Sequence, residues 1–97
     1  METSVWVRVI KRGRIAQQET EPCDHEGVEE ALEAALYRMD LPKPLWLQKH
    51  QREWDEFGLT RFLPDDFLES VDFQRLEIEF IDPDAKKKKS RDYRNEF

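Results

Sequence analysis

Cysteine is almost absent from this chain of 97 residues: Cys23 is the single one. It cannot close an internal disulfide, nor supply a Cys-rich zinc site, and so the chain is expected in the reducing cytoplasm. Glycine is scarce as well, with three in all, and the sequence holds no Gly-x-Ser-x-Gly, no phosphate-binding glycine loop and no dinucleotide fingerprint. Those lacks weigh against the common nucleophile and nucleotide chemistries. Long apolar runs are missing too. No stretch approaches the roughly 20 residues needed to cross a bilayer. The opening residues METSVWVRVIK lack the basic and then apolar pattern of a secretion signal.

Charge is what the chain has in excess. Charged residues make up 39 %, apolar residues 38 % and aromatics 11 %. The aromatic share is enough to build a core, because disordered chains lack the large rings that drive burial. The net charge of −6 is unevenly spread: residues 1–20 carry +2, residues 21–84 carry −12 and residues 85–97 carry +4. An acidic body repels nucleic acid and attracts basic surfaces.

Ser4 onward alternates, with Val5, Val7 and Val9 on one face and Trp6, Arg8 and Ile10 on the other. Residues 15–20 form a weaker strand. A two-residue Arg12-Gly13 turn would force Arg12 to positive φ, so a three-residue Lys11-Arg12-Gly13 loop is expected, with Ile15 opposite Val9. A helix follows, N-capped by Asp24, with Glu26 in its first turn. Val28, Ala31, Leu32, Ala35, Leu36 and Met39 fall in one arc of about 140° on its wheel. Leu41-Pro42 ends it. A second helix is expected from Pro44. On it Trp46, Leu47, His50, Trp54 and Phe57 make an apolar stripe with His50 in the middle, and Gly58 closes it. The stretch LTRFLPDDFLES reads as a connection holding one helical turn near Pro64. In the last strand Leu76, Ile78 and Phe80 point inward while Arg75, Glu77 and Glu79 point outward. The expected fold is a single α+β domain over residues 1–84. It is a two-layer β-β-α-α-β arrangement, a short antiparallel three-stranded sheet with two helices on one face. The apolar first strand is favoured for the centre. Residues 85–97 are expected to form a mobile basic tail.

Residues 40–84, with DLPKPLWLQKHQREW, TRFLPDDF and LEIEFID, resemble a family of short bacterial proteins of uncharacterised function. The resemblance covers nearly half the chain. It implies a bacterial cytosolic origin and no activity, cofactor or binding residue.

Four features could carry function. His50, Cys23, His25 and Glu53 together could bind zinc, yet His50 sits mid-stripe, where a neutral core histidine bonded to a carbonyl or carboxylate is expected and no metal or cofactor is. A helix start could activate the Cys23 thiol, but Glu21, Asp24 and Glu26 oppose it. Glu26, Glu29, Glu30 and Glu33 line the polar side of the first helix. There Glu26/Glu30 and Glu29/Glu33 are like-charged pairs, each unfavourable by ~0.2–0.5 kcal/mol. The bland reading of this row is a solvated face that aids solubility, and the sharper one is a dock for a basic partner. The outer sheet face could show Trp6 and Arg8, with Ile10, Phe73 and Ile81, as a partner or homodimer surface. The tail, Lys86, Lys87, Lys88, Lys89, Arg91 and Arg94 with Tyr93, could touch nucleic acid weakly, but the acidic body weighs against that. The expected function is a small acidic, non-enzymatic protein-binding or regulatory module. The alternatives are an inhibitor of a nucleic-acid-binding protein that presents carboxylates in place of phosphates, and a small metal-dependent or cysteine-based enzyme centred on His50 and Cys23.

Overall fold

The computed structural model describes residues 2–83. It is α+β: strand β1 (Ser4–Lys11), strand β2 (Arg14–Pro22), helix α1 (Val28–Met39), helix α2 (Gln48–Phe57), strand β3 (Leu59–Phe62), a 3-10 turn (Pro64–Asp66) and strand β4 (Arg75–Ile81). The sheet has four antiparallel strands in the order β2-β1-β4-β3. Valine at every second position of β1 makes one dry face: Val5, Val7 and Val9 are buried, and so are Leu76 and Ile78 of β4. Both helices cover that face. The arc of α1 expected from the sequence is the one buried, namely Val28, Ala31, Leu32, Ala35, Leu36 and Met39. β4 pairs with β1, which brings the apolar first strand into the interior of the sheet.

Three strands were expected and four are found. β3 lies in the stretch read as a connection. Its Thr60 and Phe62 are buried while Leu59 and Arg61 are exposed, so the alternation is genuine. It runs for only four residues, too few to stand out against a loop.

The β1–β2 turn also departs from expectation. Lys11 pairs with Arg14 and Ile10 with Ile15. The turn is therefore the two-residue Arg12-Gly13, with both residues left-handed (φ 55° and 75°). Its twist matches that of the paired strands, which outweighs the strain at Arg12. The Gly13 N–H is held by the Gln74 side chain, Oε1 at 2.6 Å. A bulge between Val9 and Ile10 then resets the register, so that Val9 faces Gln17. Ile15 is consequently 44 % exposed and adds nothing to the buried face.

Both helices start later than expected. Asp24 Oδ1 accepts the Gly27 N–H at 2.9 Å, a turn set just ahead of α1, whose N-cap is Gly27. Glu26 therefore precedes the helix, and Glu29 and Glu30 occupy its first turn. α2 begins at Gln48 rather than at Pro44. Pro42 and Pro44 disfavour helical backbone at the residues before them. Pro44 instead bridges to Phe67, and the Leu45 N–H donates to the Asp66 carbonyl. Only part of the expected stripe is buried as a result. His50 and Trp54 are fully buried, but Leu47 and Phe57 are exposed. Gly58 ends α2 in the left-handed conformation, as expected.

Candidate binding surfaces and the buried His50–Asp66 pair

α2 opens without a serine, threonine or aspartate at its N-cap, Leu47. His50 does the capping from inside the helix. Its Nδ1 accepts the Leu47 N–H at 2.9 Å, the role a glutamate or glutamine has at the third position of a capping box. The 3-10 turn repeats the device: Asp66 Oδ2 accepts the Leu63 N–H at 2.9 Å. The two capping side chains face each other, with His50 Nε2 3.4 Å from Asp66 Oδ2 and out of line for a hydrogen bond. Because Nδ1 is an acceptor, the ring proton sits on Nε2, toward the carboxylate. The ring lies 4.3 Å, centroid to centroid, from Phe62. Burial lowers the His50 pKa, and this outweighs the opposing pull of Asp66. His50 is thus a buried, neutral capping group with a carboxylate as neighbour.

The other members of the conceivable metal set are each engaged elsewhere. His25 Nε2–H donates to the Trp54 carbonyl at 3.1 Å, Trp54 Nε1–H donates back to the His25 carbonyl at 3.0 Å, and the two rings stack. Glu53 accepts the Thr60 hydroxyl at 2.5 Å. Cys23 is half-buried against the core, and burial, then Asp24 and Glu21, push its thiol pKa up, away from the reactive thiolate. Among the described residues no group of three or more His, Cys, Asp or Glu is placed to hold a metal ion.

The acidic face holds three residues of α1 and Glu26 just ahead of it. Glu26, Glu29, Glu30 and Glu33 are all exposed. α1 has one basic residue, Arg38, and it turns away from them: its Nη2 lies 2.6 Å from Glu21 and 3.0 Å from Glu19, both on β2. Lys43 approaches Glu33 at 3.9 Å. Glu26, Glu29 and Glu30 have no ion pair among the described residues.

The outer sheet face differs from expectation. Ile10 is buried, and Phe73 belongs to the core, edge-on to Phe67. What lies on this face is a linked set of charges. Arg8 Nε donates to Glu77 Oε1 at 2.7 Å and its Nη1 to Glu79 Oε1 at 3.1 Å. Arg75 Nε takes the second Glu77 oxygen at 2.5 Å. The Arg8 guanidinium lies 4.4 Å from the Trp6 ring centroid, and Trp6 Nε1–H donates to Gln18. Burial alone would raise the Glu77 pKa, but its bonds to Arg75 and Arg8 hold it below the usual carboxylate value. Arg8 is therefore committed within the sheet rather than presented to a partner. Cross-strand register is the signal for this network: Arg8 faces Glu77 and Trp6 faces Glu79 only once β1 is paired with β4.

The tail residues Lys86, Lys87, Lys88, Lys89, Arg91 and Arg94 lie outside the described residues. Among the described residues no helix is long and apolar enough to cross a membrane. No family model, no curated protein and no solved structure matches this chain.

Proposed function

We propose that the protein is a small, non-enzymatic binding module whose α1 surface docks a basic partner protein. The observation that carries this reading is the exposed row Glu26, Glu29, Glu30 and Glu33, in which only Glu33 has a cation nearby, Lys43 at 3.9 Å, among the described residues. The only cation of α1 is spent on β2, which adds Glu19 and Glu21 to the same acidic side. Like charges one helical turn apart cost stability, and at a docking surface that cost is recovered when a basic partner neutralises them. Trp6 and Arg8, joined through Glu77 and Glu79, contribute to the rigidity of the sheet more than to recognition in this reading. The inhibitor form, in which the carboxylates replace the phosphates of a nucleic acid, is one version of the same surface. The buried, capped state of His50 and the raised Cys23 pKa speak for binding over catalysis. A reducing cytoplasm suits the free Cys23 thiol.

The test is paired capture from host extract with the parent and with Glu29→Gln/Glu30→Gln/Glu33→Gln. A partner held by the parent at low salt should be lost from the variant, and should also be released at ~0.3 M salt, where screening is strong. A partner retained equally by both proteins would sink the reading.

A further inference from the structure

Among the described residues β3 is an edge strand, and its pairing leaves one side of its backbone open. Gly58 and Phe80 lie opposite each other, with the Phe80 N–H donating to the Gly58 carbonyl at 2.7 Å. The β3–β4 register continues from there through Thr60↔Ile78 and Phe62↔Leu76. In an antiparallel ladder, hydrogen-bonded and non-bonded pairs alternate. Thr60 and Phe62 therefore spend their backbone groups on β4, as Gly58 does its carbonyl while its N–H closes α2 on the Trp54 carbonyl, whereas Leu59 and Arg61 aim theirs at the free edge. The next residue of that kind, Leu63, is closed off: its N–H goes to Asp66 Oδ2 and its carbonyl accepts the Asp66 N–H. The open edge is thus two residues long and holds two donors and two acceptors.

That edge is flanked by apolar side chains that the fold leaves outside. Phe57 is 72 % exposed, Leu59 41 % and Leu63 45 %. A cavity of about 250 Å³ lies beside them, with Glu53, Arg61 and Glu77 in its lining. Arg61 has no ionic partner among the described residues. The opposite edge, β2, is different. It is nine residues long and mostly polar, with Glu19 and Glu21 tied to Arg38, and charged edges of this kind resist pairing.

We propose that two copies of the chain join through β3, antiparallel about a two-fold axis at Thr60, into one continuous eight-stranded sheet. The open edge is self-complementary in this register and in no neighbouring one. Leu59 of each copy meets Arg61 of the other, and their outward N–H and C=O groups exchange four hydrogen bonds. Thr60 faces Thr60 as a non-bonded pair on the inner side. Phe57 is carried toward Leu63 of the second copy, covering apolar surface on both. The charges complement as well: Arg61 of one copy enters the row of Leu59 and Glu79 of the other, and the Glu79 side chain is 34 % exposed. A shift by one residue would set inner side chains against outer ones. A shift by two places Arg61 opposite Arg61 in one direction and Leu59 opposite Leu59 in the other, and either one leaves the second open residue without a partner, with two hydrogen bonds instead of four.

The association does not use α1, so it stands apart from the docking reading above. Sedimentation velocity of the parent, from micromolar to near-millimolar concentration, should show a monomer passing into a dimer. Arg61→Glu replaces an exposed side chain and puts a carboxylate into the row of Glu79; it should shift the dimer dissociation constant at least tenfold toward monomer. Arg61→Pro removes the N–H that faces the second copy and should abolish the dimer, with a thermal melt in the monomeric range confirming that the variant is folded. Register is read separately in a Cys23→Ser background. Under mild oxidation Thr60→Cys should cross-link to itself, because non-bonded antiparallel pairs bring Cβ atoms to disulfide distance. Leu59→Cys and Arg61→Cys, each alone, should not. A parent that stays monomeric throughout overturns the proposal. So does a dimer indifferent to Arg61→Glu, or cross-linking that is equal at positions 59, 60 and 61.

Discussion

Replacing His50 by alanine removes three things at once. The ring is fully buried and lies against Phe62 and Trp46, so its loss opens a cavity with the cost of a large-to-small core change. The Leu47 N–H loses its acceptor at Nδ1 and stays behind as a part-buried donor. Asp66 loses the nearest polar neighbour of Oδ2 on that side. A polar ring buries less favourably than leucine, which places the cavity part near the low end of the core range, ~2 kcal/mol. The orphaned donor adds ~1–2 kcal/mol. Destabilisation of ~3–4 kcal/mol is therefore expected for His50→Ala. That corresponds to a fall in melting temperature of more than 10 °C at about 4–8 °C per kcal/mol for a domain of this size. His50→Gln keeps an acceptor in the reach of the capping position and part of the volume, so it should lose about half as much. Urea titrations of the parent and both variants measure this directly, provided the slope with urea is unchanged. A loss below ~1 kcal/mol for alanine would refute the burial argument. Equal losses for alanine and glutamine would refute the capping argument while leaving burial intact. One tightly held zinc per parent chain, together with unperturbed melts of both variants, would make His50 a ligand instead.

The same residue gives a pH dependence. Burial lowers the His50 pKa below its ordinary 6.5 in the folded protein, so the unfolded chain takes up the proton first. The stability from this shift is present above pH 6.5 and is lost as pH falls toward the folded value, with a slope of at most ~1.4 kcal/mol per unit; urea melts between about pH 7.5 and 5 should show it in the parent and not in His50→Gln. At the β1–β2 turn, Arg12 has φ 55°. Arg12→Asn should therefore raise stability by ~0.5–1.5 kcal/mol, since asparagine tolerates the left-handed region and suits the first position of this turn. An unchanged or lowered urea midpoint would show that the arginine conformation carries no strain.

What the sequence disclosed follows from how long each pattern runs. Six apolar residues in register over α1, three valines in β1 and the Leu76/Ile78 alternation in β4 are each repeated often enough to identify a buried face, and the core is built from them. β3 repeats its alternation over four residues, and it is positioned by the Gly58 reversal and by pairing with β4, neither of which has a local signature. At Arg12-Gly13 the strain of a positive φ and the apolar match of Ile15 with Val9 both favour a three-residue loop, yet a two-residue turn forms. Strand twist, the bulge and the bond from Gln74, a residue far along the chain, decide the geometry together. The candidate surfaces divide in the same way. The part of the acidic row on α1, Glu29, Glu30 and Glu33, is a property of one helix and could be read from its period. The commitment of Arg8 is a property of three residues on two strands that meet only in the sheet, so a side chain that looked like a binding anchor in sequence is consumed by the fold. Arg61 is the converse: it has the same residue type and the same alternating position, but it stands where its own sheet supplies no free carboxylate opposite, because Glu77 is already shared by Arg8 and Arg75. An arginine whose cross-strand glutamate is taken, at an edge whose backbone is open, is where this molecule has binding capacity left over.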